Sequence, residues 1–185
     1  KDLISEYSAL PGIVDFLQQV EQDLIKNSAL ILRKPNESAG PAQIALENEP
    51  TRRYAINVIV SHEPGSPAPV VFEGRPAYSH LGGRVEQRAH LGTLTTDFTL
   101  IHGGALHRAN GGYLVLDARR LLTEPYAWEG LKLALDSKCI KIESIAEAYG
   151  LTTTVALEPQ PIPLKVKVAL VGDRRLYYML QELDP

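Results

Sequence analysis

The 185-residue chain is 44% apolar and 22% charged, the balance of an ordinary globular domain with enough residues for one sizeable core. Its formal net charge of -3 argues against nucleic acid as an obligate partner, since that binding is driven by clustered Lys and Arg. No apolar run reaches the roughly 18 residues of a membrane span, no signal-peptide pattern opens the sequence, and the single cysteine, Cys139, suits a reducing compartment such as the cytoplasm. Histidines 62, 80, 90, 102 and 107 are too scattered for a metal-ligand set. The chain opens at Lys1 and closes on Leu183-Asp184-Pro185 directly after an apolar helical pattern, and so reads as a piece of something larger.

After Pro11 and Gly12, the apolar residues Ile13, Val14, Phe16, Leu17, Val20, Leu24, Ile25 and Leu30 to Leu32 recur at helical spacing and predict one amphipathic helix of roughly 20 residues. The polar, Pro- and Gly-containing stretch from Arg33 to Pro50 predicts a loop or linker. Tyr54–Val60 has the composition of a core strand, His62–Pro69 reads as a turn, and Val70-Val71-Phe72 as a short strand. Tyr78–Glu86, with its pair Gly82-Gly83, reads as a flexible stretch.

Next come a short helix around Ala105–Ala109, the turn Gly111-Gly112, and the strand Tyr113–Leu116 closing on Asp117. Pro125–Leu135 has helical spacing with Pro at the first turn. Cys139–Ile142 and Thr152–Leu157 predict a long hairpin stopped by Pro159, Pro161 and Pro163. Val166–Val171 is a further strand, and Arg174–Leu183 a final helix. Strands that alternate with helices and read as nearly continuous apolar runs predict an α/β fold, a parallel sheet covered on both faces.

The run from Gly103 to Ala118 carries the most chemistry. A buried parallel strand that ends in Asp places a carboxylate at the crevice where nucleotide phosphates and magnesium sit in P-loop ATPases. The next position, where such ATPases need a Glu to polarise water, is Ala118. The series of strand, aromatic-and-Gly loop, Gly-Ala-Leu-His-Arg-Ala-Asn-Gly-Gly, Asp-ended strand, helix, hairpin and strand resembles the AAA+ core of Lon-type proteases of the bacterial and archaeal B and C types, from Arg52 to Pro185. A looser likeness extends to magnesium chelatase and enhancer-binding AAA+ proteins.

The Lon-type resemblance implies a three-layer AAA+-like sheet flanked by helices with a β-hairpin insertion. It divides the chain into a helical segment over 1–34, a linker over 35–50 and a partial AAA+-like domain over 51–185. It implies ATP with magnesium as cofactor, a hexameric ring as assembly, unfolded polypeptide as substrate, and a Ser-Lys peptidase domain downstream. Asp117 matches the Walker B magnesium ligand, and Asp173, after Gly172, falls where sensor 1 places Asn or Thr. Tyr78, His80 and Leu81 match the substrate-gripping pore loop, Cys139–Leu157 matches the presensor hairpin, and Arg174 and Arg175 stand where an arginine finger could reach a neighbouring subunit. No Gly-x-x-x-x-Gly-Lys-Ser/Thr occurs in the 185 residues, and with Ala118 in the base position the same comparison argues against hydrolysis.

Simpler roles stand beside these. Asp117 reads equally as a helix cap, Arg174 and Arg175 as a charged helix start, His107 and Arg108 as packing or capping groups, and Trp128 as core. Ser137 and Lys138 are adjacent in sequence and so cannot converge as a catalytic dyad. Two functions follow: an AAA+-like segment of a Lon-type protease, or a remodelling module of the chelatase or enhancer-binding kind without peptidase.

Overall fold

The computed structural model of the chain describes residues 2–31, 52–90, 93–143, 150 and 157–183. They divide into two compact units, Lys1–Ile56 and Asn57–Pro185. The linker expected over 35–50 lies outside the described residues.

In the first unit α1 (Asp2–Glu6) precedes the expected helix, and that helix is two, α2 (Pro11–Lys26) and α3 (Ser28–Ile31). Pro11 starts α2 because its fixed φ suits a first turn and its missing N–H is not needed there. Asn27 ends it, its side-chain amide donating to the Asp23 carbonyl and carboxylate at 3.1 and 2.8 Å. No residue of α2 is buried, and Phe16 and Ile25 on it are exposed. A short 3-10 turn, Arg52–Tyr54, is tied to α2 by the Tyr54 hydroxyl, which donates to Asp23 Oδ2 at 2.7 Å.

The strand expected over Tyr54–Val60 does not form: Arg52–Tyr54 is the 3-10 turn, and Ala55–Val60 has no regular structure. Asn57 explains the difference. Its side-chain amide donates to the carbonyls of Phe98 and Ile101 at 2.9 and 2.8 Å, so a side chain takes the acceptors that a pairing backbone would use.

The second unit continues with β1 (Val70–Glu73), α4 (Tyr78–Gly82), β2 (Arg84–Val85), β3 (Arg88–His90), β4 (Thr93–Thr95) and β5 (Ile101–His102). Then follow α5 (Ala105–Arg108), β6 (Tyr113–Asp117), α6 (Ala118–Thr123), α7 (Ala127–Ser137), β7 (Cys139–Ile140), β8 (Ile162–Pro163), β9 (Lys167–Val171) and α8 (Arg174–Leu183). The parallel sheet has the order β1-β6-β9, with Val70 opposite Tyr113 and Tyr113 opposite Lys167. The architecture is α/β, a three-stranded parallel sheet flanked by helices.

The register decides which side chains are inside. Leu114 and Leu116 point into a core with Leu106, Leu121, Leu131 and Ile140, each of them 2% exposed or less. Burying a Leu side chain contributes about 1.5–3 kcal/mol, so this cluster is the main source of the unit's stability. The alternating residues Val70, Phe72 and Val171 are 59–69% exposed, so among the described residues the sheet is not covered on both faces as expected. The side that carries Val70, Phe72 and Val171 also carries Asp117 and Lys167, whereas Val71, Leu114, Leu116 and Val168 on the other side pack into the core.

One further expectation changes. Tyr78–Glu86 is not a flexible stretch but the helix α4 followed by β2, because Leu81 is buried in the core at 3% exposure and Gly83, at φ +96, ends the helix. Cys139-Ile140 pairs antiparallel with Ile162-Pro163, and of the partner strand expected over Thr152–Leu157 all but Leu157 lies outside the described residues. Pro163 sits within the pair, where an edge strand tolerates a residue lacking an N–H.

Candidate functional site at the carboxyl end of the sheet

Parallel strands place their carboxyl ends, and the loops that follow, on one side of the sheet, which is where ligands bind in open α/β folds. Here that side carries Glu73 from β1, Asp117 from β6 and Asp173 beyond β9. Asp117, on the central strand, caps α6: its Oδ1 accepts the Arg120 amide at 2.9 Å. Asp173 caps α8, its Oδ1 accepting the amides of Arg175 and Leu176 at 3.1 and 3.2 Å, while Arg119 approaches its Oδ2 at 3.5 Å. Glu73 is held by Arg108, whose guanidinium donates at 2.9 Å, and by the Arg75 amide at 3.0 Å. Arg120 donates to the Gly74 carbonyl at 2.6 Å and so binds the ends of β1 and β6 together.

The structure thus brings Asp117 and Asp173 to adjacent strand ends, and both serve as helix caps. Arg174 and Arg175 are exposed in the first turn of α8. Ala118 is 3% exposed, and its Cβ lies so close to Gly172 that a side-chain carbon there would come within 3.1 Å. As residues for ATP and magnesium this set is incomplete. Asp117 Oδ2 could face a cation, but the adjacent position is an apolar methyl facing the core, and these residues supply no base for hydrolysis. Among the described residues, no group of three or more His, Cys, Asp or Glu is placed to hold a metal ion.

Tyr78, His80 and Leu81 all lie on α4. Leu81 is a core residue, and the Tyr78 ring packs over α7, where a side chain on Gly130 would strike it at 2.5 Å. Tyr78 also donates to Glu143 at 3.4 Å, and His80 Nδ1 contacts the Arg75 carbonyl at 3.0 Å. Further along the chain the β3–β4 hairpin pairs Arg88 with Thr95 and Ala89 with Leu94, and Arg88, Ala89 and Thr95 are exposed. In the sequence its one local signal is Gly92 between two short runs of strand-forming residues.

Among the described residues of this unit, His107 is the buried polar residue, 5% exposed on α5. Its Nδ1 accepts the Gly104 amide at 3.2 Å, the capping role expected for it. Burial, and after it the positive charge of Arg108, push its pKa below the ordinary 6.5. The unfolded chain therefore takes up this proton more readily than the folded one. The contribution is fully present above pH 6.5 and is lost as pH falls below that value toward the folded pKa. The thermal midpoint should accordingly drop between about pH 7.5 and 5.5, and the drop should shrink in His107→Asn; equal slopes for the two proteins would show that another group is responsible.

Comparison with known proteins identifies the family. The model of the LonB-like AAA domain matches residues 66–185. A protein named "Putative Lon protease homolog" from Escherichia coli (strain K12) is 36% identical over 89 residues, which is 48% of this chain and 14% of that protein.

Proposed function

The chain belongs to the LonB-like AAA domain family, and from that premise we propose that it is the ring-forming segment of a Lon-type protease, one that admits unfolded polypeptide to a downstream Ser-Lys peptidase and depends little on ATP hydrolysis. The observation that carries this reading is the end of β6, where Asp117 is spent on capping α6 and the position of the water-polarising base is the buried Ala118. A hydrolytic site that lacks a positioning or electrostatic group loses on the order of a hundredfold or more in rate. The proposed working state is a hexamer in the cytoplasm, with subunits in head-to-tail contact, a heterologous interface that closes only at the right rotation.

Within this reading the substrate-facing element is the surface around α4 and the β3–β4 hairpin. Leu81 is committed to the core, so Tyr78, His80 and Leu81 act by holding the base of this region while the exposed hairpin meets the chain. A loop carried on a rigid support is where binding residues are commonly found. Replacing His90–Thr93 by a Gly-Ser turn in the parent protein should slow degradation of an unfolded protein such as casein at least about tenfold and leave cleavage of short peptides nearly unchanged. Equal loss on both substrates, or on neither, refutes the hairpin's role.

A further inference from the structure

We draw no further inference here: the strongest candidate, the bare apolar face of the β1-β6-β9 sheet on which Val70, Phe72, Tyr113 and Val171 are exposed, carries none because nothing in the structure shows what covers it.

Discussion

Gly112→Ala should destabilise the second unit by about 3–5 kcal/mol, enough to lower its thermal midpoint by about 10 °C or more. Gly112 stands where all three strands of the sheet begin. The Tyr113 amide donates to the Pro69 carbonyl just before β1 at 2.8 Å, and the Lys167 amide of β9 donates to the Gly112 carbonyl at 2.9 Å. A methyl group on Gly112 would meet the ring and backbone nitrogen of Pro69 at 2.8 Å and run into its carbonyl oxygen. These are backbone and ring atoms that cannot swing away, so relief requires β1 to move off β6 and the register to suffer. The neighbouring Gly111 supplies a contrast. It has open space around it but φ +85, so Gly111→Ala should show only the smaller cost of a left-handed backbone, about 1–2 kcal/mol. Gly12, inside α2 with nothing within 4 Å, should gain up to about 1 kcal/mol from Ala through helix propensity. Melts of the three variants that failed to rank Gly112→Ala as the most damaging would contradict the close approach of Pro69.

Ala118→Glu, the change that writes an acidic base back beside Asp117, should yield a less stable protein and no ATPase. Ala118 is 3% exposed and lies between Gly172 and the groups around Trp128 and Leu176. A carboxylate there loses most of its hydration without gaining a cation, and the Asp173 carboxylate lines the same cleft. The expected cost is about 2–4 kcal/mol in denaturant unfolding, with phosphate release from ATP no higher than in the unaltered protein. Measurable turnover in the stable fraction of Ala118→Glu would mean that only the base was missing, and that the rest of a hydrolytic site stands ready.

The most legible parts of the sequence were those in which local chemistry and packing agree. Tyr113–Asp117 combines a continuous apolar run, a Gly pair before it and a capping carboxylate after it, and each of these survives in the structure as strand, turn and N-cap. The α8 helix and the β9 strand were readable for the same reason, from period and punctuation. Tyr54–Val60 misleads because strand composition states only that residues suit a pleated surface, and says nothing about whether a partner edge is within reach. Asn57, polar in the middle of the run, is the residue that diverts it. The pair Gly82-Gly83 misleads in the other direction, since it resembles loop punctuation, whereas Gly83 terminates α4 and Gly104 is small to let the α4 carboxyl end pass.

The candidate site was legible in its parts and not in their use. That Asp117 and Asp173 share the strand ends follows from the βαβ order, and it could be expected. That both are taken up as caps depends on where the helices after them begin, a matter of one residue that periodicity does not resolve. That His107 Nε2 is buried with no hydrogen-bond partner among the described residues was not readable at all, because a histidine on a short helix looks the same whether its second nitrogen meets solvent, protein or nothing.

The central claim, that polypeptide handling here does not run on a hydrolytic cycle, is tested most directly by the rate at which the full-length parent protein degrades unfolded casein with and without ATP and magnesium. The account predicts rates that agree within about a factor of two, since neither Asp117, bonded to the Arg120 amide, nor the buried Ala118 can activate water. An acceleration of tenfold or more on adding ATP, absent with a non-hydrolysable analogue, would contradict it.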